Sequence, residues 1–339
     1  MNTMKSVLIQ KPGEFRVVEK EIPKPKKGEA LLKIQYCGIC GSDIATYTGN
    51  QPFASYPRIP GHEFSAEIVE MAGEHPSLKP GMLVTANPYF NCGSCYPCKN
   101  GNVNCCENNQ TMGVQRDGSF SEYITMPIER LIDGRGLSAK TLALIEPFSI
   151  GFHAIRRAGI TLGNRVLVMG AGAIGIFAAI SAKLYGAEVY IADVLDKRLA
   201  LAKELGVDGV INCKTQDLSE CVKEITSGNG MDVCVEAAGA PETLLSCVEQ
   251  VCFGGKLSLV GNTKREVTFN HSLLVKKELN IFSSRNSKNE FEPIIDLMLK
   301  GKVSVDSIIT DVYSIQDVQE AFDALKNNDG SHAKVLIKF

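Results

Sequence analysis

The chain has 339 residues, with 36 Lys plus Arg against 38 Asp plus Glu, a formal charge of -2, 44 % hydrophobic and 22 % charged residues. At roughly 150 residues per domain this is chain for about two domains, each able to bury a core, which excludes a disulfide mini-scaffold and intrinsic disorder. The near-neutral charge gives no drive toward nucleic acid or anionic lipid, and no apolar run reaches the roughly 18 residues of a membrane span, so the expected partner is a small molecule.

The opening MNTMKSVLIQKPGEF has neither a secretory apolar run nor an Arg-rich amphipathic stretch, which predicts a cytoplasmic protein whose 12 cysteines stay reduced. Up to about residue 145 the apolar runs are short and broken by Gly and Pro, at 7–9, 15–18, 30–34, 68–71 and 83–86, and read as strands of a β-rich, loop-rich part. Within it lie Cys37-Gly-Ile-Cys40-Gly-Ser42-Asp43 and Gly61-His62-Glu63, with Glu146 following in Leu-Ile-Glu146-Pro-Phe. A thiolate, an imidazole and carboxylates are zinc-binding donor types. Taken one at a time they also read as a buried thiol, a loop histidine and a helix-initiating acid, and the residues alone leave both readings open.

Cys92, Cys95 and Cys98 stand at steps of three, with Cys106 eight residues further on, in a loop rich in Gly, Asn and Pro. Four thiolates at this spacing close a tetrahedron around zinc with no position left for chemistry, which predicts a structural site. Cys105 competes with Cys106 for the fourth position. Cys213, Cys221, Cys234, Cys247 and Cys252 fall on apolar faces and are expected to be inert core residues.

From Arg165 strands and helices alternate, the pattern of a doubly wound parallel sheet, so the whole chain is α/β. The strand at 165–169 runs into Gly170-Ala-Gly172-Ala173-Ile174-Gly175 and then a helix. The first glycine permits the turn, the second lets a pyrophosphate approach the backbone, and the third allows helix and strand to pack closely. About 20 residues on, Asp193 ends the next strand, where a carboxylate accepts from an adenosine ribose and repels a 2′-phosphate, favouring NAD over NADP. Arg198 either stacks on the adenine or is solvated. Beyond Arg285 two helices precede a last strand, AKVLIKF, that this sheet does not need.

CGICGSD, PGHE, the four-cysteine lobe, GVQRDGSFSEY, IEPFSIGFHAIRRA, GAGAIG and Asp193 occur in one order along the chain. In this the sequence resembles the zinc-dependent medium-chain dehydrogenases, the alcohol, sorbitol and threonine dehydrogenase group, over essentially its whole length. The resemblance implies a GroES-like β-rich catalytic domain over residues 1–150 with a structural-zinc lobe at about 88–110. It further implies a Rossmann NAD-binding domain over 151–285 and a segment 286–339 that rejoins the catalytic domain. Two zinc ions per chain and NAD are the implied cofactors. Cys40 and His62 become zinc ligands, Glu63 and Glu146 carboxylates that bind the metal or hold its water, and Ser42 the hydroxyl that takes the substrate proton. Many relatives carry a histidine three residues after this hydroxyl; here Ala45 stands there, leaving Thr46, Tyr47 or solvent as the relay's outer end. Ala238, Val260, Gly261, Ser284 and Arg285 are further expected cofactor positions.

Within the family the sequence is most similar to the bacterial polyol and sugar-acid branch, L-galactonate and L-gulonate 5-dehydrogenases and starvation-sensing dehydrogenase-like proteins, on NQPFASYPRIPGHE, Glu146-Pro-Phe and Phe282-Ser-Ser284-Arg285-Asn286. A sugar acid needs a cation for its carboxylate, and arginine offers a planar bidentate match. Arg285 and Arg116 are the candidates, with Phe120 and Phe53 as pocket-lining aromatics. The alternatives are a polyol or threonine dehydrogenase on the same machinery, and a non-catalytic NAD-binding sensory protein. A homodimer or homotetramer is expected from an exposed edge strand of the nucleotide domain.

Overall fold

The computed structural model describes residues 3–339. They form two units, one running up to Glu146 and including 291–328 and 334–339, the other holding 147–290 and 329–333.

In the first unit the short apolar runs become strands because alternate side chains enter one core. Strand Glu29–Gly38 buries Ala30, Leu32 and Ile34 and lies at the centre of a seven-stranded sheet. On one side it pairs antiparallel with Glu63–Met71, which leads on to Leu83–Ala86 and Leu131–Asp133. On its other side lies the C-terminal strand Lys334–Lys338, itself parallel to Ile309–Ser314, while Tyr123–Pro127 also pairs with it. Strands Tyr123–Pro127 and Ile309–Ser314 are not marked by the sequence pattern. The first buries Ile124 and Met126 in alternation but is short and ends in proline, and the second buries none of its residues fully. Helix Val318–Lys326 sends Phe322 into the core, edge-on to Phe15, Tyr47 and Phe120.

The second unit is a six-stranded parallel sheet in the order Gly209–Asn212, Glu188–Asp193, Arg165–Met169, Met231–Glu236, Val251–Leu259 and Asn280–Ser283. Val166, Leu167 and Val168 are buried in succession, as expected of a parallel strand covered on both faces. The strand order reverses between Arg165–Met169 and Met231–Glu236, and such a reversal opens a crevice at the carboxyl ends of the strands. Among the described residues no helix is long and apolar enough to cross a membrane.

Because Phe322 is a fully buried aromatic of the first unit, Phe322→Ala is expected to cost about 3–5 kcal/mol. Urea unfolding followed by a probe in that unit would read this, and a loss below 1 kcal/mol would show that the C-terminal helix does not hold the core.

Candidate functional site

The nucleotide crevice is built from backbone requirements. Gly170 leaves its strand at φ +100°, and a Cβ there would meet Ala238 at 3.0 Å. Gly175, in the first turn of helix Ala173–Leu184, would place a Cβ 1.8 Å from the Gly170 carbonyl oxygen, so only glycine lets helix and turn touch. Gly172 caps the helix with nothing within 4 Å of a built Cβ; the protein itself would tolerate a side chain there, and an approaching phosphate would not. Asp193 is buried and accepts from the N–H groups of Ala171 (2.7 Å), Val194 (2.7 Å) and Leu195 (3.0 Å), locking the turn to the neighbouring strand. The Arg198 guanidinium approaches its carboxylate at 3.6 Å. Val260 and Gly261 both donate to the Glu236 carbonyl, and Ser284 N–H donates to Leu259 (2.8 Å), so the expected cofactor positions gather at the carboxyl ends of the strands.

In the first unit the sulfurs of Cys92, Cys95, Cys98 and Cys106 all lie within 4.8 Å of one another. The Cys92 and Cys95 N–H groups donate to sulfur, and hydrogen bonds from Ser94, then from the Cys95 N–H, bring the Cys92 thiol down to about 5. The fourth member is the buried Cys106; Cys105, ending the short helix Val103–Cys105, stays exposed. Of the remaining cysteines Cys234 and Cys247 are buried, whereas Cys213, Cys221 and Cys252 are only partly so.

The second donor group is Cys40, His62 and Glu63, whose ligand atoms also lie within 4.8 Å of one another. Cys40 precedes helix Gly41–Tyr47, and Glu63 opens strand Glu63–Met71 opposite Gly38. A Cβ on Gly38 would sit 2.2 Å from Glu63 Oε2, so this glycine makes room for the carboxylate. His62 is buried, and its Nδ1 has no hydrogen-bond partner. Burial disfavours a charged imidazole, yet the Cys40 sulfur and the Asp43 carboxylate outweigh it and hold the His62 pKa well above its usual value. A buried site that draws positive charge onto an imidazole, beside a soft sulfur and a carboxylate, fits a zinc ion. Glu146 is not part of this group. It is buried, accepts a hydrogen bond from the Tyr89 hydroxyl, and is pushed up to about 7 by burial, against the pull of His62.

The expected substrate residues differ in burial and partners. Phe120 is fully buried in the core against Phe322 and Phe339, because the chain turns inward at Gly118–Ser119 under Pro60 and Gly61. Arg116 stacks its guanidinium 3.6 Å over the Phe90 ring, beside a cavity of about 380 Å³ whose lining includes none of Cys40, His62, Glu63 or Glu146. Phe53 is exposed on the loop after helix Gly41–Tyr47, and Arg285 is exposed just beyond the edge strand Asn280–Ser283. The Ser42 Oγ is buried without a partner. Two proposed relay groups are committed elsewhere: Thr46 Oγ1 donates to the Ser42 carbonyl (2.9 Å), and the Tyr47 hydroxyl donates to Gly13 (3.3 Å).

Three residues that the sequence does not single out complete the site. The buried Asp43 accepts from Cys40 N–H (2.9 Å) and Gly61 N–H (3.0 Å), tying the two donor-bearing loops together. Lys334, buried at the start of the last strand, donates to both Glu63 oxygens (2.8 and 2.7 Å). Tyr89 holds Glu146. Asp43 sits inside a quoted motif and was within reach of a sequence reading; the other two become visible only through long-range pairing.

The family model for zinc-binding dehydrogenases matches residues 173–300, and that for the alcohol dehydrogenase GroES-like domain matches 26–135. The chain is 37 % identical over 343 residues to L-galactonate-5-dehydrogenase of Escherichia coli, covering 100 % of both chains. It is 36 % identical over 331 residues to a sorbitol dehydrogenase of Halalkalibacterium halodurans, covering 96 % of each. The crystal structure of RspB, an alcohol dehydrogenase from Escherichia coli complexed with NADH, has the same fold with a TM-score of 0.94 at 34 % identity, covering 100 % of each chain. The chain therefore belongs to the zinc-binding medium-chain dehydrogenases: it is a zinc-dependent oxidoreductase of the alcohol and polyol type, with a GroES-like part and a Rossmann part.

Two outcomes follow from this geometry. Asp43→Asn places an amide N–H against one of two backbone donors, and metal affinity at the Cys40 group is expected to fall about 10- to 100-fold in chelator competition, with the four-cysteine zinc retained. Gly175→Ala is expected to abolish nucleotide binding, read by NADH fluorescence, while metal content stays at the wild-type level.

Proposed function

We propose that this dehydrogenase oxidises a secondary hydroxyl of a sugar acid, C5 of L-gulonate or L-galactonate, giving the 5-keto acid, NADH and a proton. The observation that carries the reaction is the buried Cys40–His62–Glu63 group with its orphaned imidazole nitrogen. Support for the substrate comes from the full-length similarity to an L-galactonate-5-dehydrogenase and from the exposed Arg285.

In this reading Cys40, His62 and Glu63 hold the catalytic zinc, Glu146 stands beside it, and Cys92, Cys95, Cys98 and Cys106 hold a second, structural one. Bound at the first site, the metal supplies Lewis acidity to the hydroxyl being oxidised. Asp43 and Lys334 fix the donors so that no reorganisation is needed during reaction. Ser42 takes up the hydroxyl proton and passes it to solvent, since a hydroxyl relays protons and does not keep them at neutral pH. The glycine turn and Asp193 hold NAD, with the carboxylate unfavourable to a 2′-phosphate. Arg285 pairs with the substrate carboxylate. The chemistry belongs to residues 1–150, the nucleotide to 151–285, and the segment from 286 rejoins the first part. The edge strand Asn280–Ser283, with Ile281 43 % exposed, supports assembly into a homodimer or homotetramer.

The test is NADH formation by zinc-loaded protein offered L-gulonate, L-galactonate, sorbitol, L-threonine and small alcohols, with Cys40→Ser as the blank. Turnover confined to a hexonate, lost in the blank and weakened at least about tenfold in KM by Arg285→Ala, is expected from loss of a charge-assisted bidentate pair. Turnover of sorbitol indifferent to Arg285→Ala would make it a polyol dehydrogenase, and nucleotide binding without any turnover a sensory protein.

A further inference from the structure

Glu146 is a carboxylate beside a three-donor metal group that it does not join. His62 and Glu63 are near enough to act on its charge, yet the clustered ligand atoms belong to Cys40, His62 and Glu63. Zinc closes readily to four ligands, and a site stays usable for chemistry only if one position is kept from the protein. Something must therefore restrain Glu146.

One such restraint is Tyr89. Its side chain is buried, and its hydroxyl donates to Glu146 Oε1. A hydrogen bond to a carboxylate oxygen occupies a lone pair and fixes the plane of the group, which is how partners beyond the ligands set metal geometry. Tyr89 is itself held firmly. It lies in the two-residue strand Tyr89–Phe90, paired with Gln110–Thr111. Its N–H donates to Asn87 Oδ1 (2.9 Å), and its carbonyl accepts from the Arg130 guanidinium (2.7 Å). Neighbouring side chains of a strand point to opposite faces, and the Phe90 ring is clamped by Arg116 at 3.6 Å and Arg130 at 4.5 Å. With Phe90 pinned on one face, Tyr89 can only face the other. The same contacts give Arg116 a bracing role.

We propose that Tyr89 is a positioning residue that holds the Glu146 carboxylate back from the Cys40–His62–Glu63 group and so keeps the remaining metal position open to the substrate hydroxyl. The inference rests on the reading of that group as the catalytic zinc site.

The experiment uses full-length protein loaded with Co2+ in place of zinc, with imidazole as the probe of the open position. The d–d absorption of Cys40→Ser, which retains the four-thiolate site, is subtracted. In the wild type imidazole shifts the remaining band. In Tyr89→Phe the half-saturating imidazole concentration is expected to rise about 10- to 100-fold, the scale on which such outer partners act. Adding Glu146→Gln should return it to the wild-type value, because an amide is a poor metal ligand. Arg130→Gln, which loosens the strand and keeps the phenol, should shift it in the same direction. It serves if Tyr89→Phe is recovered unfolded, as judged by NADH binding. Wild-type imidazole affinity in Tyr89→Phe, or a double variant as impaired as the single one, would overturn the proposal. A wild-type protein with no difference band at all would instead remove the catalytic-zinc reading, and the proposal with it.

Discussion

The donors of the Cys40–His62–Glu63 group come from two loops, and one buried carboxylate joins them. Asp43 accepts the N–H of Cys40 with one oxygen and that of Gly61 with the other, so the loop before helix Gly41–Tyr47 and the loop before strand Glu63–Met71 are fixed to a single side chain. Backbone N–H groups are obligatory donors, and two of them converging on one buried acid leave little freedom in where Cys40 and His62 point. Strand pairing does the rest: Gly38 opposite Glu63 leaves space where any Cβ would collide with the carboxylate. Sheet register, a missing side chain and a shared acceptor thus set the metal geometry before any metal arrives.

Such an arrangement is costly on electrostatic grounds. Asp43, Glu63 and Glu146 are all buried, Cys40 lies among them, and Lys334 is the buried cation that faces them. Burial pushes the Asp43 and Glu146 carboxyls upward, and the surrounding negative charge outweighs burial at Lys334, whose pKa is raised. A lone ion pair in such a place is poor evidence of stability. Its use is in orientation: Lys334 engages both Glu63 oxygens, and it stands on the strand between Glu29–Gly38 and the edge strand Ile309–Ser314.

What could be read from the sequence follows from how local each requirement is. The turn Gly170–Gly175 and its acid Asp193 are legible because each glycine answers a backbone demand made within a few residues. The four-cysteine lobe is legible because its spacing is itself the geometry, and the structure decides between Cys105 and Cys106 by burying only the latter. Lys334 was invisible since it meets Glu63 across 271 residues, and in the sequence it is only a charge at the start of an apolar run. Tyr89 meets Glu146 across 57 residues. At Arg116 and Phe120 residue type tells that a guanidinium wants a partner and an aromatic ring wants burial, not which ring or which core will be nearest. Arg116 found Phe90, and Phe120 found Phe322.

The two cysteine-containing sites of the first unit make opposite uses of the same metal chemistry. In the lobe, four sulfurs lie within 4.8 Å of one another, attended by backbone N–H groups, a serine hydroxyl and the Asn91 and Asn108 amides, with no carboxylate among the four donors. At Cys40 three donors converge, and the neighbouring acids are each tied to something else: Asp43 to backbone, Glu63 partly to Lys334, Glu146 to Tyr89. An excess of buried anionic groups over buried cations there is tolerable only with a divalent cation among them, since isolated buried charge is expensive and otherwise resolves by protonation. Burial raises the Asp43 and Glu146 pKa values, and the negative charge around His62 outweighs burial and raises its own. A site so short of positive charge, with three donor atoms within 4.8 Å of one another and its other carboxylates held by other partners, is suited to a metal ion.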